Sequence, residues 1–414
     1  MKKSELAAVG ERLTEFVEGF APVLGRRERR HWCRVYLSGL ILDGERKSIE
    51  PLASRVEGGN EQALQQFVNQ SPWDGEGLIA DLRRDMLRRF RMKSAIYVLD
   101  DTSLPKKGNQ SVGVAHQYCG ALGKLSNCQS LVSLQAVGPR AHFPLAARLY
   151  LPEVWTSDKA RMRAAGVPLE HQGFKEKWRI ALDLIDATLP DCWPQVLVAD
   201  AGYGANREFL GELDKRSIPF VAQCRCDDTF WDGDMPLEEP DTKRSKSGRP
   251  RTHTHPADKR RKPKSASEWA RLLFSDRANI SKVKINHKTP VTVETVAKRV
   301  YEPIRRPQHR VGPARWLVIE RLSDGTHKYF VSSLLKATPK KIIRLAHQRY
   351  KVEQGYQQLK EELGLDHFEG RSWRGLHHHI ALCFMAYDFL QILARSQGRG
   401  KKVSATAHGD SSLA

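Results

Sequence analysis

Residues 97–138 read YVLDDTSLPKKGNQSVGVAHQYCGALGKLSNCQSLVSLQAVG. The stretch opens as an apolar strand that stops on two adjacent carboxylates, Asp100 and Asp101, and closes as a second β-rich run before a glycine. Like-charge repulsion and desolvation both oppose placing acids where a buried strand ends, unless a cation compensates them. Side-chain alternation sends the two carboxylates to opposite faces, so a single one of the pair reaches any given cation. Taken without its surroundings, the pair is also an ordinary turn cap leading into Pro105, Lys106 and Lys107.

Three β-rich runs, AIYVLDD (95–101), NCQSLVSLQAVG (127–138) and AHFPLAARLYLP (141–152), predict consecutive antiparallel strands. Residues 170–189 follow with Trp178, Ala181, Leu182, Leu184 and Ile185 on one face of an amphipathic helix. The segment 195–224 then reads as a buried strand, a glycine turn, a helix capped by Asn206 and a second buried strand. Three strands, helix, strand, helix, strand is the order of an α/β, ribonuclease H-like core, in which the first and fourth strands are neighbours. The fourth strand ends on Asp200, just before the turn Ala201–Gly204, so two strands deliver acids to one edge. Hard divalent ions with oxygen ligands, Mg²⁺ above all, are the usual compensation.

A third acid is expected on the stretch 338–365, which opens with Thr338 as N-cap and Pro339 in the first turn and predicts one long helix. At about 100° per residue, Arg349, Glu353 and Lys360 fall within about 60° of one another. Ile342, Leu345, Val352, Tyr356, Leu359 and Leu363 supply much of its apolar contact. The same spacing also describes a surface ion-pair ladder.

Composition narrows the partners. The 414-residue chain is 40% hydrophobic, enough for a sizeable core, and carries 68 Lys and Arg against 48 Asp and Glu, a formal charge of +20. That excess favours a polyanion, nucleic acid first. No apolar run approaches the roughly 20 residues of a membrane span. The first residues lack a signal-peptide core, so the expected location is cytoplasmic. Seven cysteines without a C-x-x-C pair suit reduced thiols.

Five segments are expected. Residues 1–92 read as a helical N-terminal domain, with a possible DNA-binding helix-turn-helix at 47–71 around Gly58, Gly59 and Asn60. Residues 93–226 form the first part of the core, and 227–335 a basic, β-rich insertion before the last helix. Residues 336–398 complete the core with the third acid, and 399–414 form a tail. Within the insertion, Lys and Arg far outnumber Asp241 and Asp258 over residues 241–265, a composition suited to tracking a DNA backbone. Its GRPR, 248–251, resembles an AT-hook, and Arg249, Arg251, Arg260 and Arg261 are its candidate DNA contacts. Cys224, Cys226, His253 and His255 do not match a familiar zinc spacing. The run His377–His379 starts a packing helix.

Residues 98–129, with VADAGYG (198–204) and the helix around Glu353, resemble the bacterial DDE transposases of the insertion-sequence 701 family, over about residues 30–395. Related transposases carry a Tyr-x-x-Arg-x-x-x-Glu-x-x-x-x-x-x-Lys signature on the last helix. Arg349, Glu353 and Lys360 match it, while Ala346 stands at the tyrosine position. The resemblance implies Asp100, Asp200 and Glu353 as catalytic, metal-holding acids, with Asp101 the rival for the first place. Asp100 is preferred because Thr102 stands two residues on. The resemblance further implies two Mg²⁺ ions, for which Mn²⁺ substitutes, water and then a 3′ hydroxyl as nucleophiles, and a nucleoid-associated bacterial enzyme. Its DNA partners are terminal inverted repeats and target DNA, met by Arg349, Lys360, Lys106 and Lys107, and a homodimer is expected in the active complex. A non-catalytic DNA-binding relative explains the charge but not the three acids. A stand-alone ribonuclease H-like nuclease explains the acids but not the insertion, and a glycoside hydrolase leaves the basic loop without purpose.

Overall fold

The computed structural model describes residues 3–240, 253–285, 290–304 and 310–396. Helices α1 (Lys3–Glu18), α2 (Ala21–Leu24), α3 (Arg27–Ile41), α4 (Ile49–Arg55), α5 (Glu61–Asn69) and α6 (Gly75–Arg89) come first. Strands β1 (Ser94–Pro105), β2 (Ala115–Cys119), β3 (Lys124–Val137) and β4 (His142–Tyr150) follow, then α7 (Glu153–Thr156), α8 (Lys159–Ala164) and α9 (Lys177–Thr188). Next come β5 (Trp193–Ala199), α10 (Ala201–Gly204), α11 (Arg207–Lys215), β6 (Phe220–Cys224), β7 (Thr229–Asp232), β8 (Leu237–Glu238), β9 (His255–Pro256) and β10 (Lys264–Ser265). Then follow α12 (Ala266–Phe274), β11 (Ser281–Ile285), β12 (Val291–Ile304), β13 (Arg310–Arg321) and β14 (His327–Ser332). The last described elements are α13 (Pro339–Ala346), α14 (Arg349–Gln357), a π turn (Gln358–Glu362) and α15 (Trp373–Ser396). The chain divides into two compact units. The first takes residues up to 95, 99–193 and 351 onward; the second takes 96–98 and 194–350.

The first unit is organised around α15, whose residues are buried almost throughout and which packs on α3, α5, α6 and β4. A helix apolar on every side must be central. Its three histidines sit inside because their rings satisfy buried partners, many of them in the main chain. His377 Nδ1 faces the Trp373 carbonyl at 2.9 Å, so it donates there. His379 Nε2 donates to the Gly364 carbonyl at 3.0 Å and its Nδ1 meets the Tyr36 hydroxyl at 2.8 Å. His378 stacks on Trp73 with centroids 3.6 Å apart and faces the Val68 and Trp73 carbonyls, each at 2.8 Å. Burial pulls its pKa down to about 4, so the neutral ring donates to one of them at a time.

β3 is long enough to pair with β2 along Lys124–Cys128 and with β4 along Ser130–Val137, and β1 is its other neighbour. The β2 strand is absent from the sequence expectation, which treats residues 102–126 as a connection. AHQYC is short and its Tyr118 is exposed, so no burial pattern announces it. Helix α9 covers β3 and β4 with the expected apolar face. Arg83 of α6 donates to Asp191 and to the Leu145 carbonyl, at 2.7 and 3.0 Å.

In the second unit β5 and β6 run parallel, joined by α10 and α11, and β5 neighbours β1, whose residues 96–98 belong to this unit. The β-rich residues of the expected insertion join the same sheet. From β6 the sheet continues through β14, β13, β12, β7 and β10, with β11 on β12. The mixed sheets with covering helices form the ribonuclease H-like α/β architecture that the strand order predicts.

One long helix over 338–365 is not observed. α13 stops at Ala346, His347 and Gln348 make a turn, and α14 passes into the π turn. There the Leu363 amide bonds the Gln358 carbonyl at 3.2 Å, and Gly364, at φ +67°, closes the helix in the left-handed region. Even 100° spacing therefore does not hold from Arg349 to Lys360.

Gly204 tests the packing of α10 on β6. A Cβ at Gly204 would lie 2.1 Å from the Gln223 carbonyl oxygen, whereas one at Gly202 would meet no atom nearer than the Asp200 carboxylate at 3.1 Å. Gly204→Ala is expected to destabilise by about 1–3 kcal/mol through overpacking, and Gly202→Ala by less. Denaturant melts of both variants check the order.

Candidate active site

Asp100 is the seventh residue of β1 and 7% exposed. Its Oδ1 accepts from the Asp101 amide at 3.0 Å. Asp101 faces other partners: its Oδ2 accepts from Lys177 Nζ of α9 at 2.6 Å and from Ser130 Oγ of β3 at 3.1 Å. The two neighbouring acids are thus held by different surroundings, and the charge of Asp101 is matched by a cation seventy-odd positions along the chain.

The segment bearing Glu353 meets β1 near Asp100. Glu353 is exposed on α14, and three residues on Tyr356 turns inward. The Tyr356 hydroxyl bonds Ser133 Oγ and lies 3.5 Å from the Asp100 carbonyl oxygen. Burial first, and the charge of Asp100 second, push the phenol far above its ordinary pKa. Lys360 Nζ, in the π turn, donates to the Ser103 carbonyl at 2.8 Å. Burial lowers the Lys360 pKa, with Asp366 and more weakly Asp100 opposing the shift.

Lys106 lies just beyond β1, and its Nζ donates to the Asp366 and Phe368 carbonyls at 3.1 and 2.6 Å. Burial draws its pKa down to about 8. Lys107 is exposed. The unit boundary falls inside α14, with Arg349 on the second unit's side. Asp200, also in the second unit, caps α10: its Oδ1 accepts from the Gly202 and Tyr203 amides at 2.9 and 3.4 Å. Arg260 and Arg261 are exposed, Arg260 pairing with Asp258 at 3.2 Å. Arg249 and Arg251 lie outside the described residues.

Among the described residues no group of three or more His, Cys, Asp or Glu side chains is gathered to hold a metal ion. Nor is any described helix long and apolar enough to cross a membrane. Sequence reasoning treats Tyr356 as apolar contact and does not single out Ser133, Ser130 or Lys177. The only hint in the sequence is that Tyr356 falls one turn from Glu353 on the inward side.

The model of the DDE superfamily endonucleases matches residues 19–290, and the chain belongs to that family. Within it the chain is similar to a probable transposase for insertion sequence element IS701 from Microchaete diplosiphon. The two are 25% identical over 362 residues, 86% of this chain and 79% of the relative. The likeness read from residues 98–129 agrees with both findings.

The different settings of the two aspartates can be measured. A double-mutant cycle on Asp101→Asn and Lys177→Gln is expected to give a coupling of about 0.5–1 kcal/mol, since the pair is partly exposed. Asp100→Asn combined with Lys177→Gln is expected to show a smaller coupling.

Proposed function

We propose that this chain is the transposase of a bacterial insertion sequence, cutting and joining DNA strands with Asp100, Asp200 and Glu353 as its acidic set. The observation that carries this reading is the tie between the Glu353 segment and β1 at Asp100, through the Tyr356 hydroxyl. The family match and the place of Asp200 directly after β5, the strand beside β1, support it further. Asp100 is favoured over Asp101 as the first acid because the Asp101 carboxylate is engaged by Lys177.

The acidic set suits a hard divalent cation by ligand type, since each member offers carboxylate oxygens. Asp100, Asp200 and Glu353 would hold Mg²⁺, with Mn²⁺ as a substitute, and the bound ions supply Lewis-acid activation of the phosphodiester and the attacking oxygen. Asp200 spends Oδ1 on two amides of α10, which fixes its rotamer and leaves Oδ2 for a further ligand. Arg349, Lys107, Arg260, Arg261 and the two arginines of GRPR would meet phosphates of the terminal repeats and the target. The ammonium groups of Lys106 and Lys360 donate to main-chain carbonyl oxygens, which suits an internal role. The working parts are residues 1–92, 93–226, 227–335 and 336–398, with a homodimer in the active complex and the bacterial nucleoid as the place of action.

The test is a cleavage and strand-transfer assay on a plasmid carrying the gene with its native flanking DNA. Wild type is expected to cut only with Mg²⁺ or Mn²⁺. Asp100→Asn, Asp200→Asn and Glu353→Gln are each expected to lower cleavage by more than about 10³-fold while end-DNA affinity stays within a few-fold, since each removes a metal ligand and no cation. Mn²⁺ titration followed by electron paramagnetic resonance should show weakened binding in the same variants. Wild type that binds end DNA but never cuts it would make the chain a regulatory relative instead.

A further inference from the structure

We propose that Tyr356, Lys360 and Lys106 form an internal clamp that fixes the Glu353 segment on the exit of β1, so that the two lysines position the acids rather than grip DNA. The inference rests on the acidic set proposed above and assigns its support.

The three ties span consecutive short stretches. Along β1 and just beyond it, the carbonyls of Asp100 and Ser103 and the side chain of Lys106 are engaged in turn. Their partners run in step along the other segment: the Tyr356 hydroxyl, the Lys360 ammonium, then the carbonyls of Asp366 and Phe368. The direction of donation reverses between the second and third ties, so each segment contributes a lysine to the other's backbone. The Lys106 amide adds a bond to the Asn127 carbonyl of β3 at 2.9 Å, which anchors the same residue from its main chain.

A main-chain carbonyl shut away from water must be paired, and hydrogen bonds from charged donors are about twice as strong as neutral ones. A lysine placed for a phosphate would instead keep its ammonium in water until DNA arrives. Burial, which lowers the pKa of both lysines, agrees with an inward role. The π turn contributes as well. It departs from regular helical spacing at Gln358–Glu362, the segment from which Lys360 reaches Ser103, and such turns occur frequently at functional sites. Glu353 is exposed on α14, and the turns that follow it are those that the three ties hold.

The clamp is tested with Lys360→Gln, Lys106→Gln and the milder Tyr356→Phe, using Lys360→Arg as the conservative variant. Hydrogen exchange on the full-length protein is expected to show at least tenfold faster exchange of amides in 100–106 and 353–365 for both glutamine variants. Unchanged protection would overturn the clamp. End-DNA binding is expected to keep the wild-type salt slope in Lys360→Gln, whereas a slope smaller by about 1 would make Lys360 a phosphate ligand and overturn its positioning role. The cleavage rate of bound DNA is expected to fall about 10²-fold without weaker binding, with partial recovery in Lys360→Arg. Equal loss in affinity and rate would count against it. If wild type itself proves unable to cut or bind end DNA, the transposase reading fails, and hydrogen exchange still decides the clamp.

Discussion

A carbonyl or amide removed from water has to find a partner inside the protein, and the first unit is built around side chains that supply one. Arg83 reaches the Leu145 carbonyl, His377 that of Trp373, His379 that of Gly364, and Lys106 those of Asp366 and Phe368. Such a bond adds about 1 kcal/mol net from a neutral histidine and about 1.5–3 kcal/mol from a charged arginine or lysine, but leaving the buried group unpaired forfeits that gain and costs about 1–3 kcal/mol besides. The asymmetry explains why polar residues penetrate so apolar a core. The Gly364, Asp366 and Phe368 carbonyls lie in irregular backbone after the π turn, and that of Leu145 at the register shift within β4, where no regular ladder partner is available.

Charge is arranged on the same principle. The chain as a whole is strongly cationic, yet cations in the interior are matched locally. Asp101 receives Lys177, and in the second unit Arg315, 3% exposed, lies between Glu302 and Asp214. Asp101 and Lys177 are partly exposed, whereas removing one partner of the buried Arg315–Glu302 pair costs about 3–5 kcal/mol because the other charge is stranded. The surplus positive charge is carried by exposed residues, Lys107, Arg260 and Arg261 among them.

Much of this arrangement is written in local pattern. The strands that carry Asp100 and precede Asp200 announce themselves as short apolar runs between turn residues, and α9 and α11 by periodicity and by Asn206 as a cap. What escaped depends on distant partners. The helix break after Ala346 has neither Gly nor Pro to mark it. His347 there bonds Glu320 of β13 at 2.9 Å, a contact that no local window contains. The choice between Asp100 and Asp101 stays open in the sequence for the same reason, since Lys177 is far along the chain. Lys106 and Lys360, which the resemblance assigns to DNA, have their ammonium groups on main-chain carbonyl oxygens, partners that no local window contains. The GRPR arginines lie outside the described residues, and their reading is unchanged from the sequence.

The order of segments along the chain gives α15 a significance beyond packing. The helices α3, α5 and α6 and the strand β4 that bury it are all made before residue 190, whereas α15 begins at Trp373. The second unit is drawn almost wholly from one continuous stretch between them. During synthesis, therefore, the early helices leave the ribosome with their central partner still untranslated, and the second unit emerges next with most of its strands in hand. The apolar seat of α15 is exposed throughout that interval. The core of the first unit therefore closes only after the strands of the second unit have been made.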